Sequence, residues 1–318
     1  MALIGHDAAL EAFKAAFASG RPHHAWLLTG PQGLGKASFA EAAAIWLLAG
    51  CPEGEGFDAA QDSKAASLVH ASSHPDFRRL VRTEDDKGKL RTVIRVDEVR
   101  ALQPVLVQTP SLAPWRVVLV DSADEMNINA ANALLKNLEE PPEKTVFLLV
   151  SHAPGRLLPT IRSRCRLLRL KPLSDADMAL VLDAHDTGLG SDDTAALIRL
   201  AAGCPGTALQ FAEPGIAELE VTLSRLSGLS AAEGQAAALA LARSLTGKTA
   251  QARYAAFLKR VPARLAAAAR HQQGPKLART IDDWQEATRL ANTAGPLTLD
   301  AHMVAHEMAM KLVRLGQP

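Results

Sequence analysis

The segment GPQGLGKA, residues 30–37, carries the residue types that hold phosphate. Gly30, Gly35 and Lys36 fit the spacing G-x-x-x-x-G-K, and Gly33 lies between them. Glycines let successive backbone N–H groups wrap phosphate oxygens, and a helix opening at the lysine adds its positive end. The Lys36 ammonium would reach the terminal phosphates. A working loop then places Ser or Thr next, to hold magnesium. Here that position is Ala37, and Ser38 sits one step further, turned by about 100° around a helix. Asp121 ends an apolar run, and Ser122, which follows it, has no carboxylate to accept a proton. Ser151 ends a second apolar run, and Arg164 stands inside Arg-Ser-Arg-Cys, residues 162–165.

The elements that position these residues read as alternating strands and helices. Ala25–Leu28 is a strand that runs into the glycine loop. Residues 76–81 form another. Arg116–Val120 and Val146–Val150 are short β-branched runs bounded by polar residues, as strands buried in a parallel sheet are. Leu167–Leu170 completes the set. Asn127 caps a helix whose Ala131, Leu134, Leu135 and Leu138 share one face, and Pro141-Pro142 stops it. Residues 3–20 read as a first helix, with Leu3, Leu10, Phe13 and Phe17 on one side. A single amphipathic helix is expected through Val96, Val99, Leu102 and Leu106. Asp124 and Glu125 are expected in the first turn of the helix that follows, where negative charge is favourable. The polar residues therefore gather at the carboxyl ends of neighbouring strands, where open α/β sheets place ligands.

At 318 residues the chain is long enough for two or three domains. It is 48% hydrophobic and only 4% aromatic, so abundant Ala and Leu must build the core from closely packed helices. A net charge of +1 excludes an overall basic field for nucleic acid. No apolar run reaches membrane length and the N-terminus lacks a signal pattern, so a cytoplasmic protein with no membrane partner is expected. Cys51, Cys165 and Cys204 are far apart and are expected as isolated reduced thiols. His23 and His24, adjacent on an extended segment, should point opposite ways, which favours packing over metal.

ANALLKNLEEPP at residues 131–142, followed by RSRC, resembles the clamp-loader branch of the AAA+ ATPases, and within it the delta-prime family. The resemblance is strong over roughly residues 1–215. It implies an AAA+ P-loop α/β domain with a parallel sheet over 1–170, a small helical lid over 171–215, and an all-α collar over 216–318. About five alanine-rich helices are expected in the collar, with Trp284 as a core anchor. Ser151 falls at the sensor-1 position. Aligning GCPGTAL with the family's lid motif places Gly206 where a sensor-2 arginine stands, so that charge is absent. Gly30, Gly33, Gly35, Lys36, Asp121 and Ser151 then make a degenerate nucleotide site. Binding of ATP or ADP without hydrolysis stays open, and no cofactor is required. Arg164 is implied as an arginine finger acting in trans on a neighbour's nucleotide. Partners implied are the gamma/tau ATPase and delta subunits, with the sliding clamp and primed DNA reached through the complex. An active ATPase of the gamma/tau type is the alternative, and Ala37 and Ser122 both oppose it. Family members often carry a four-cysteine zinc module after the first helix; with Cys51 alone in that region, no zinc is expected.

Overall fold

The computed structural model describes residues 3–317 except 21, 55, 86–87, 89, 188–190, 213–214, 248–249 and 295–298. The chain divides into two compact units, Met1–Leu209 and Gln210–Pro318.

In the first unit the described strands are β1 (Ala25–Thr29), β2 (Phe77–Leu80), β3 (Arg116–Asp121), β4 (Thr145–Ser151) and β5 (Arg166–Arg169). All pairings are parallel, in the order β2-β3-β4-β1-β5. The helices are α1 (Asp7–Ala18), α2 (Lys36–Leu48), α3 (Lys64–His70), α4 (Val96–Arg100), α5 (Gln103–Leu106), α6 (Ile128–Glu139), α7 (Pro159–Arg162), α8 (Asp175–Ala184), α9 (Ser191–Ala201) and α10 (Pro205–Ala212). The unit boundary falls inside α10.

Alternation along the strands sorts their side chains onto two covered faces. Trp26, Leu28, Val117, Leu119, Leu148 and Val150 pack with residues of α1, α2 and α3. Leu27, Val118, Val120, Phe147 and Leu149 pack with those of α4, α5, α6 and α7. Phe13 anchors the first layer. Its ring centroid lies 4.9 Å from Trp26, 6.4 Å from Phe39 and 6.0 Å from Phe57. The segment after α2 seats Phe57 in the core, and a 3-10 turn spans Asp58–Ala60.

The chain before β3 is fastened by two buried charges. The Asp76 carboxylate accepts backbone N–H bonds from Ser111, Leu112 and Ala113 at 2.7–2.9 Å. The Arg116 guanidinium donates to the carbonyls of Leu106 and Gln108.

In the second unit α11 (Ile216–Leu226), α12 (Ala231–Ser244), α13 (Gln251–Ala269), α14 (Gly274–Thr293) and α15 (Ala301–Leu315) enclose a core of Leu219, Leu223, Leu241, Phe257, Leu290 and Met308 among others. A Cβ at Gly234 would lie 2.3 Å from a Val313 methyl, so glycine there lets α12 press on α15. Glu220, buried, is matched by Arg260 at 2.9 Å and by Arg264, and the Arg260 guanidinium lies 3.7 Å over the Phe211 ring.

The α/β class, the parallel sheet and the helical C-terminal region agree with expectation, and several local readings are corrected. The first helix begins at Asp7, not residue 3, because Gly5 and His6 adopt left-handed backbone (φ +74° and +64°). The helix expected through 96–106 is two, α4 and α5. Pro104 has no N–H and its ring crowds the preceding turn. Asp124 and Glu125 lie in a separate 3-10 turn, Ala123–Glu125, and Asn127 caps α6 alone. The rings of His23 and His24 stack at 4.6 Å instead of pointing apart, because both precede β1; His23 bonds to Ala25 and His24 to the Leu138 carbonyl. Trp284 is exposed on α14, although it stands one turn from the buried Thr280 and Ala287.

Candidate functional site

β1 delivers the chain directly into the phosphate-loop segment, and α2 opens at Lys36, as the glycine pattern requires. Gly33 and Gly35 take positive φ (+78° and +89°), and Gly30 has φ +151°. Lys36 is buried and turns back into the loop, where Nζ donates to the carbonyls of Gly30 at 2.7 Å and Pro31 at 2.5 Å. Burial pushes its ammonium down to about 8, against the raising influence of Asp124, Cys204 and Asp121.

The start of α10 closes over this loop. Gly206 N–H donates to the Gly33 carbonyl at 2.7 Å. A Cβ on Gly33 would meet Thr207 Oγ1 at 2.6 Å, and one on Gly206 would meet the Gly33 carbonyl oxygen at 3.0 Å. The position matched to a sensor-2 arginine is therefore a close backbone contact with the loop.

Asp121 ends β3 beside Val150 of β4, and Ser151 ends β4 beside Thr29 of β1. The sheet thus brings Asp121, Ser151 and the loop to one edge, as expected. What surrounds them was not legible in the spacing. Arg79 on β2 places Nη2 3.0 Å from Asp121 Oδ2 and Nη1 2.7 Å from Glu41 Oε2. Ser122 Oγ pairs with His152 Nε2 at 2.9 Å, and the His152 backbone N–H donates to Asp124 at 3.0 Å. Burial lowers the His152 pKa, helped by Lys36. Glu125 pairs with Arg82 at 2.8 Å. Ser151 Oγ is fully buried with no partner. Ala37 supplies no oxygen, Ser38 points to solvent, and Asp121 already holds a cation. These residues do not fit a magnesium ion. Beside them a cleft of about 330 Å³, lined by His6, Leu34, Ala37, Glu41, Arg79 and Pro205 among others, has the size of a small ligand site.

Arg164 is not brought to this edge. It lies just before β5, whose Arg166 pairs with Trp26 near the start of β1, whereas the loop follows the end of β1. At about 3.3 Å per strand residue the two ends are roughly 15 Å apart. The guanidinium contacts Glu139 Oε1 at 2.8 Å through Nη2 and the Thr160 carbonyl at 2.9 Å through Nη1.

Among the described residues no group of three or more His, Cys, Asp or Glu is placed to hold a metal ion. This includes the i, i+4 pairs His70/His74 and His302/His306; His70 faces Glu41 and His74 Nδ1 accepts from Asp76 N–H. No described helix is long and apolar enough to cross a membrane.

The family described as DNA polymerase III, delta subunit, matches residues 5–174. The chain belongs to the delta-prime branch of that family. It is 44% identical over 198 residues to the DNA polymerase III subunit delta' of Pseudomonas aeruginosa, covering 61% of this chain and 57% of that protein. It is 37% identical over 199 residues to the Escherichia coli K12 subunit delta', covering 63% of this chain and again 57% of the relative. The chain thus spans less than two thirds of the length of these relatives. Among solved structures, a gamma-subunit-related protein from Thermotoga maritima aligns over 97% of this chain and 100% of its own, at 18% identity and a TM-score of 0.48.

Proposed function

We propose that the chain is a catalytically silent subunit of the DNA polymerase III clamp loader that supplies Arg164 to the nucleotide of a neighbouring ATPase subunit. The observation that carries this reading is the separation within the sheet. Arg164 precedes β5, whose Arg166 pairs near the start of β1, whereas its own phosphate loop follows the end of β1. An arginine finger stabilises charge on the transferring phosphoryl group, worth about 10³–10⁵ in rate. On this reading it serves a site on another chain.

Silence of the chain's own site is supported by four features together: Ala37 after the lysine, Ser122 bound to His152, Asp121 paired with Arg79, and Gly206 pressed on the loop. No zinc or other cofactor enters this reading. The neighbours it implies are gamma/tau-type ATPase and delta subunits, acting with the sliding clamp and primed DNA in the cytoplasm. The lid over 171–215 and a collar over 216–318 complete the reading, the collar serving assembly.

The test assembles Arg164→Ala protein with wild-type partners and measures ATP turnover stimulated by clamp and DNA, together with clamp loading. Assembly should survive while both activities fall. Unchanged activity in an intact complex removes the finger role.

A further inference from the structure

α6 ends against its own electrostatics. Its last residue is Glu139, Glu140 caps it, and Pro141 follows. Carboxylates are disfavoured at a helix C-terminus, where the carbonyl ends already carry partial negative charge. A local rule broken in this way calls for a compensating contact. That contact is Arg164. Glu139 Oε1 forms an ion pair with Nη2 at 2.8 Å, and the Thr160 carbonyl of α7 accepts from Nη1 at 2.9 Å.

We infer that Glu139 is a positioning residue for Arg164, holding its guanidinium at the edge of the sheet from which it reaches a neighbouring chain. The inference rests on the in-trans reading above. It joins the two motifs that stand out in the sequence, because the first glutamate of LEEPP and the second arginine of RSRC are one contact in space.

The Glu139 carboxylate on α6 and the Thr160 carbonyl on α7, with Ser163 Oγ 3.4 Å from Nη1, place the guanidinium from two elements. Nη1 is held by backbone, which no side-chain substitution removes. Nη2 is held by Glu139, so loss of Glu139 lets the fork rotate about its remaining anchor. The pair is also open to water: the Arg164 side chain is 34% exposed and that of Glu139 49%. A pair screened in this way holds orientation without strongly retaining the cation. An incoming phosphate can therefore take the guanidinium, whose five donors exceed the three contacts made here.

The experiment uses the assembled complex with Glu139→Ala, Glu139→Gln, Glu139→Asp, Arg164→Ala and the double variant Glu139→Ala/Arg164→Ala. Removing Glu139 should lower kcat for ATP roughly threefold to tenfold with KM unchanged, short of the ~100-fold that a 1 Å misplacement can cost. Glu139→Asp should recover part of the loss. In the Arg164→Ala background, Glu139→Ala should add nothing. An equal loss in both backgrounds, or full kcat in Glu139→Ala when Arg164→Ala is impaired, overturns the positioning role and leaves the finger standing.

If Arg164→Ala itself changes nothing, the in-trans reading falls. The pairing is then decided on the isolated chain by NMR of the Arg164 Nε–H. An ordered signal in wild type that becomes mobile in Glu139→Ala supports the placement; identical dynamics in both overturn it.

Discussion

Arg79 reaches across from β2 to put its Nη2 3.0 Å from Asp121 Oδ2 while its Nη1 holds Glu41 at 2.7 Å. A positive group thus occupies the carboxylate that a P-loop protein would offer to magnesium. With Ala37 beside it, the site lacks both protein oxygens for the ion. Wild-type isolated chain should show no magnesium-dependent gain in binding of a fluorescent ATP analogue. The double variant Ala37→Thr/Arg79→Ala should acquire one. Turnover should remain at background in both, because Ser122 supplies no base. Robust magnesium-dependent hydrolysis by wild type, abolished by Lys36→Ala, would overturn the silent-site reading.

Lys36 sets a pH dependence of stability. Its ammonium is held at about 8 against an ordinary 10.5, with burial the largest cause. Between those values the unfolded chain binds the extra proton, so stability rises as pH climbs from about 8 to about 10.5. The shift corresponds to on the order of 3 kcal/mol held against folding at neutral pH. Lys36→Met should therefore unfold at higher urea near pH 7, and its advantage over wild type should shrink steadily toward pH 10.5. A constant difference across that range would place the burial of Lys36 in doubt.

Gly33 answers to two constraints at once, a positive φ of +78° and Thr207 Oγ1 only 2.6 Å from where a Cβ would stand. Gly33→Ala should cost about 2 kcal/mol, strained backbone and contact combined. At about 2–4 °C per kcal/mol for a unit of this size, the melting temperature should fall by roughly 4–8 °C. Gly206→Ala, at 3.0 Å from the Gly33 carbonyl and with no positive φ, should cost less. Differential scanning calorimetry ranks the two, and a reversed order would mean that α10 does not rest on the loop.

The three thiols should be slow nucleophiles in the native protein. Burial pushes Cys51 up to about 11, Cys165 up to about 12, and Cys204 upward as well. The thiolate is the reactive form, so at pH 8 very little is present. Iodoacetamide should modify native protein much more slowly than free cysteine and label all three sites once the chain unfolds. Elemental analysis of the same preparation should find no stoichiometric zinc. Rapid native alkylation of Cys51, or one zinc per chain, would contradict this reading.

What the sequence by itself determined was local and periodic. Apolar runs bounded by polar residues marked β1, β3, β4 and β5, and Asn127 and Pro141 marked the ends of α6, because strand burial and helix termination are written within a few residues. The loop from Gly30 to Lys36 and the missing hydroxyl at Ala37 were legible in the same way, whereas Gly206 was singled out only by the resemblance to the family's lid motif. The tertiary structure alone decided the partners. Arg79 lies 42 residues from Asp121, and Glu139 lies 25 from Arg164; only the order β2-β3-β4-β1-β5 and the packing of α6 on α7 bring them together. The same holds for Gly206 on Gly33 and for Trp284, which propensity assigns to a core and which α14 turns outward. Charges find each other through space, and whether a side chain on a helix is covered depends on what packs over that turn, which the local sequence does not state.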